Sequence, residues 1–148
     1  MAKHFIFDLD GTLLDTIEDI CFAINTALGQ CGYSHRYDRE STKTLVGDGA
    51  EALMHRALRE KGNDPEAFAE LKPIYMRLYR DHQTEHARPF DGLKETLIEM
   101  KRRGATFCCV TNKPDPLAQT ILDMHFGKGF FDMIIGARTE FPVKPDPA

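Results

Sequence analysis

The sequence is short of the features that mark nucleic-acid and membrane proteins. Lys and Arg number 19 against 23 Asp and Glu, a formal net charge of -4, so it has no basic field of the kind that draws phosphodiester backbones or anionic lipid. No apolar run approaches the roughly 18 residues of a spanning helix, and MAKHF leads into none. A cytoplasmic chain without nucleic-acid or membrane partners is therefore expected. Cys21, Cys31, Cys108 and Cys109 show no CxxC spacing and lie in or beside apolar periodic segments, which favours buried thiols over a zinc site or disulfide framework. Between Thr16 and about His86 there is no alternating β-branched run, so strands are not expected there.

What is present suits a globular α/β protein. With 42% hydrophobic residues in 148, a well-filled core is within reach. Phe5, Ile6, Phe7 and Leu9 read as a buried strand, and Gly11 with Thr12 as the turn leaving it. Helical spacing follows in Ile17, Ile20, Ile24 and Leu28, capped by Thr16 and stopped by Gly32. A polar stretch, SHRYDREST, leads to a helix opened by Asp48 or Gly49. Asp64 caps a further helix with Pro65 at its first position and Pro73 inside it. From RPFDG onward the pattern alternates. Asp91 caps a helix, ATFCCV at 105–110 is a strand, Asp115 and Pro116 open another helix, and FFDMII at 130–135 is a third strand. Such short connections call for parallel pairing with right-handed crossovers. The expected organisation is a Rossmann-like parallel three-layer α/β core over 1–15 and 88–148, incomplete at its C-terminus, with a helical cap over 16–87 inserted after the first strand.

Ligands of open parallel sheets bind at the carboxyl ends of the strands. Asp8 and Asp10 fall there, as do Thr111 and Asn112, and a polar loop reaches Lys144. If the strand runs on to residue 10, its period of two turns both carboxylates the same way. Two such groups repel unless a cation lies between them, and a hard cation such as magnesium takes oxygen ligands. An Asp10-Gly11 turn alone would be an ordinary structural feature. A carboxylate at 8 among Phe5, Phe7 and Leu9 is harder to explain that way, because burying it without a partner costs several kcal/mol. Thr111 and Asn112 offer neutral donors suited to phosphate oxygens, or a capped turn. Val143 and Pro145 hold Lys144 in extended backbone, which helps aim it at an anion.

Together these segments resemble the haloacid dehalogenase-like hydrolases: DLDGTLLDT is similar to their first motif, VTNK to their second and KPDP to their third, in matching order and separation. LVGDGAEALMHRAL and RPFDGLKETLIEMKRRG further resemble segments of the phosphoglycolate phosphatases within that superfamily. The resemblance implies magnesium-dependent hydrolysis of a small phosphomonoester, with 2-phosphoglycolate first among substrates. It makes Asp8 the nucleophile that forms an aspartyl-phosphate and Asp10 the general acid and base. Thr111, Asn112 and the backbone around Leu9 to Gly11 would hold phosphate oxygens, and Lys144 would offset charge. Mg²⁺ would be bound by the Asp8 side chain and the Asp10 carbonyl. Thr12 would organise the backbone near the phosphate, or be purely structural. Gly47 and Gly49 would form a substrate-closing loop, although Gly49 could equally just start a helix.

Other classes compete. One is a phosphatase or mutase for another sugar or small-molecule phosphate; mutases of this kind usually depart from Thr12. A halo-acid substrate is a further option, against which three or more phosphate-suited donors speak. A receiver-type domain also uses a strand-end Asp, magnesium, Thr and Lys, but tolerates only short loops after the nucleophile. No acidic pair like the family's fourth motif follows Lys144. The expectation is thus a fragment of a longer protein with little activity alone, an inactive anion-binding piece whose bare edge or apolar face is covered by a second copy in a homodimer or by a crystal neighbour.

Overall fold

The computed structural model describes residues 3–146; the outer ends of the expected core, at 1–2 and 147–148, lie outside the described residues and include the last proline of KPDP. Two compact units are present, one formed by the residues up to Asp15 together with those from Arg88 on, the other by Thr16–Ala87.

The first unit holds a three-stranded parallel sheet: β1 (His4–Phe7), β4 (Thr106–Pro114) and β5 (Met133–Ala137), in the order β1-β4-β5. Two short strands, β2 (Leu14–Asp15) and β3 (Arg88–Pro89), pair antiparallel where the chain leaves and re-enters this unit. Helices α5 (Leu93–Arg102) and α6 (Asp115–Phe126) make the crossovers. Both serve the same face of the sheet. Lys101 of α5 lies 5.6 Å over the ring of Phe107, and Phe126 of α6 joins Phe130 and Phe131 in an aromatic cluster that also reaches Phe107. Phe5 and Phe7 complete this cluster from β1, with centroids 6.1 and 5.6 Å from Phe107. On the opposite face the register aligns Ile6 with Cys108 and Met133, and Val110 with Ile135. Ile6 is 74% exposed there.

The strands differ in extent from their sequence reading. β4 runs past Val110 because Pro114 still pairs with Ala137, beyond an irregularity in the ladder. β5 begins at Met133 because Phe130 and Phe131 spend their apolar surface in the aromatic cluster before the strand starts. Gly92, at φ 74°, takes the N-cap position of α5 in place of Asp91.

The second unit is helical: α1 (Ile17–Gln30), α2 (Arg39–Lys43), α3 (Gly49–Ala57), a 3₁₀ turn (Arg59–Lys61) and α4 (Pro65–His82). Asp64 caps α4 by accepting from the N–H groups of Glu66 and Ala67, and Pro73 leaves that helix unbroken. α2 lies within the stretch read as a polar connection; Asp38 and Ser41 make it through a reciprocal capping box. Ile24, Leu28, Met54, Leu71 and Tyr75 fill this unit's core. Asp19 is buried beside them, and its carboxylate accepts from the N–H groups of His86 and Ala87, at 2.9 Å each, where the unit ends. All four cysteines are free thiols, but of the four expected to be buried only Cys109 is; Cys21, Cys31 and Cys108 are half-buried.

Candidate active site

β1 ends at Phe7, so Asp8 leaves the sheet at the carboxyl end of a strand pinned by its own aromatic rings. The chain then turns around Leu9. That residue is wholly buried, and its carbonyl accepts from the N–H groups of Thr12, Leu13 and Leu14 at 3.2, 2.9 and 3.1 Å. The Gly11 N–H donates to the Leu14 carbonyl at 2.9 Å, and Gly11 holds φ at 75°, a conformation that glycine reaches without a Cβ penalty. Leu9 thus anchors the loop between Asp8 and Asp10. The Gly11 amide, expected to face an anion, is spent inside this turn, as is that of Thr12, so Gly11 acts here through its conformation.

β4 supplies the opposing wall. Its burial alternates to its end, putting Thr111 and Lys113 on the buried side and Asn112 between them on the other. Asn112 grips the backbone of Lys144: its amide nitrogen donates to the Lys144 carbonyl at 3.1 Å, and its oxygen accepts from the Lys144 N–H at 2.8 Å. The Lys144 ammonium, so placed, donates to Asp8 Oδ1 at 3.0 Å and to the Val110 carbonyl at 2.7 Å. Asn112 therefore holds the lysine, where the sequence suggested a phosphate donor. Lys113 brings its Nζ to 3.7 Å from Asp10 Oδ1. Its N–H donates to Thr111 Oγ1 at 3.2 Å.

Each aspartate thus has a lysine partner. The two pairs differ in exposure: Lys144 and Asp8 are 39% and 45% exposed, Lys113 and Asp10 only 1% and 17%. Burial, followed by the charge of Asp8, pushes the Cys109 thiol on β4 up to about 12; Lys144 opposes the shift and Asp10 adds to it. Beside Thr111, Asn112 and Lys144 a groove of about 370 Å³ opens, lined mainly by apolar side chains such as Ile135, Phe141 and Val143. Neither Asp8 nor Asp10 lines it.

Of the residues singled out in the sequence, Asp8, Asn112 and Lys144 form one bonded set, and Asp10 and Thr111 join through Lys113. Thr12 is exposed on the turn. Gly47 and Gly49 belong to the helical unit, at φ 130° and 90° before and at the start of α3. Read from sequence alone, Lys113 has no role. The signal for it was the strand alternation, carried two residues beyond the point where the apolar run stops.

Asp8 offers carboxylate oxygens, the ligand type that a hard cation such as Mg²⁺ takes. Among the described residues no cluster of three or more His, Cys, Asp or Glu side chains could hold a metal. A cation here would draw on Asp8, the Asp10 carbonyl and water, which Mg²⁺ retains readily.

A parallel sheet carrying two strand-end aspartates, each faced by a lysine, defines a hydrolase core of the haloacid dehalogenase type. The chain matches the haloacid dehalogenase-like hydrolase family over residues 5–148 and belongs to it. It is 37% identical over 153 residues to the phosphoglycolate phosphatase of Pseudomonas savastanoi pv. phaseolicola, covering 100% of this chain and 55% of the relative. It is 32% identical to that of Aquifex aeolicus, covering 98% of this chain and 65% of the relative. The chain thus spans between half and two thirds of the length of these relatives. Among solved structures, a predicted phosphoglycolate phosphatase from Haemophilus somnus 129PT superposes with a TM-score of 0.88 at 28% identity, covering 99% of this chain and 67% of that one. CbbY from Rhodobacter sphaeroides, in complex with phosphate, superposes with a TM-score of 0.77 at 25% identity over 99% of this chain and 68% of its own.

Proposed function

We propose that the chain carries the phosphoryl-transfer site of a magnesium-dependent phosphomonoesterase acting on a small phosphorylated metabolite, 2-phosphoglycolate first among them. The observation that carries this reading is the Lys144 ammonium 3.0 Å from Asp8 Oδ1. A carboxylate at a strand end, held by a cation that can also meet an incoming anion, is arranged to attack phosphorus. Asp8 Oδ bonds to phosphorus as the ester P–O bond breaks, and the leaving oxygen takes the proton of Asp10. Water then attacks the phosphorus of the acyl phosphate, loses its proton to Asp10, and phosphate departs with Asp8 restored. Lys144 offsets charge between carboxylate and phosphate, and Thr111 presents its hydroxyl beside them. Mg²⁺, when bound by Asp8 and the Asp10 carbonyl, supplies charge neutralisation at the phosphate. Support comes from the names of the relatives, which are phosphoglycolate phosphatases over the matched region.

Phosphate release from a panel of phosphomonoesters, with Mg²⁺ and with EDTA, tests the reading. Turnover that is highest on 2-phosphoglycolate and lost with EDTA supports it. Preference for a sugar phosphate would refute the narrower substrate, and no release from any ester would refute the function for this chain in favour of the alternative reading, an inactive anion-binding piece.

A further inference from the structure

We propose that Lys113 is the positioning residue for Asp10: its buried ammonium fixes the carboxylate where it can serve the leaving-group oxygen. This rests on the phosphomonoesterase reading and adds a residue to it. β4 places Phe107, Cys109, Thr111 and Lys113 at successive buried positions. At the last of these an apolar side chain would satisfy packing. An ammonium there costs several kcal/mol unless it is paired, and the pair is with Asp10, 3.7 Å away.

The two lysines of the site divide the work by their access to solvent. Lys144 is 39% exposed, so it can exchange part of its contact with Asp8 for an arriving phosphate. Lys113, at 1%, cannot reach an anion in solvent without moving the strand that carries it. That strand end is itself held, since Pro114 pairs with Ala137 and the Lys113 N–H is tied to Thr111 Oγ1. Asp10, by contrast, sits on the turn that Gly11 makes at φ 75°. A carboxylate on such a turn has rotamers to choose from, and a fixed cation on the neighbouring strand selects one. Lys113 takes no proton and touches no reacting atom in this account; it acts through Asp10.

The test is a leaving-group series. kcat/KM is measured on 2-phosphoglycolate, phenyl phosphate and 4-nitrophenyl phosphate for the wild-type chain, K113M, D10N and D10N/K113M. This quantity covers the steps through phosphoryl transfer to Asp8, where the acid acts on the leaving oxygen. General acid catalysis is worth about 10² to 10⁴ fold. K113M is therefore expected to lose roughly 10 to 100 fold on the alkyl ester and less than about 3 fold on 4-nitrophenyl phosphate, whose leaving group needs no proton. On any one of the esters, adding K113M to D10N should cost less than about 3 fold further, because the residue acts through Asp10. An equal loss on all three esters, or a full additional loss in the D10N background, overturns the assignment. If circular dichroism shows that K113M does not fold, D10N/K113M, which removes both charges together, is compared with D10N and decides alone. A wild-type chain inactive on every ester refutes the phosphomonoesterase reading and this assignment with it, an outcome distinct from an active wild type with parallel losses.

Discussion

On the proposed mechanism Lys144 matters greatly to chemistry, while its ion pair matters little to stability. Its ion pair with Asp8 is 39% and 45% exposed, and pairs so placed contribute about 0–1 kcal/mol. Its backbone is held independently of its ammonium, by both atoms of the Asn112 amide. K144M is therefore expected to shift the urea midpoint by less than about 1 kcal/mol in stability, while losing a charge-stabilising donor worth roughly 10² to 10³ fold in kcat. Equilibrium unfolding and phosphate-release kinetics on the same preparation check both halves. Asp8, Asn112 and Lys144 were legible in the sequence because each follows a recognisable strand end or lies in a motif. Lys113 closes the VTNK segment but its role was not legible, because a lysine just past an apolar run reads as a solvated loop residue, and only the three-dimensional pairing of Pro114 with Ala137 keeps it in the strand.

Among elements, the junction of β5 and α6 is the least forgiving. Gly136 is buried, its N–H donates to Asp115 Oδ1 at 2.7 Å, and a Cβ there would lie 2.3 Å from the Asp115 Cα. Those neighbours are backbone and cannot rotate away. G136A is expected to destabilise the chain by about 1–3 kcal/mol or more, the range of overpacking, read from the midpoint of chemical unfolding. An unchanged midpoint would mean that this strand and helix are farther apart. The long periodic helices were legible from spacing and caps, as the Asp64 cap of α4 illustrates. α2 was not, because its five residues carry no apolar period and start from the capping box of Asp38 and Ser41. The pairing of β2 with β3 involves two residues on each side and leaves no periodic trace.

At the scale of the whole molecule, two carboxylates outside the site link fold to pH. Hydrogen bonds from the Ser41 hydroxyl and amide hold the Asp38 carboxyl below the ordinary range, and the Phe107 N–H, then Lys101, does the same for Asp132. A depressed folded-state pKa contributes stability above the unfolded value, near 3.9, and that contribution is lost as pH falls through the folded value. Acid should therefore weaken the chain below about pH 4, and D38N/D132N should show a shallower loss over that window in thermal melts. The exposed row of Ile6, Met133 and Ile135, at 74%, 53% and 41%, could not be read from sequence, since alternation shows which residues share a face but not whether that face is covered. The central claim concerns a bond. Rapid acid quench during turnover of ³²P-labelled 2-phosphoglycolate with Mg²⁺, followed by peptide mapping, should find hydroxylamine-labile label on the peptide containing Asp8 and none in D8N; turnover that leaves Asp8 unlabelled, or a D8N chain that labels and turns over like the wild type, would contradict the account.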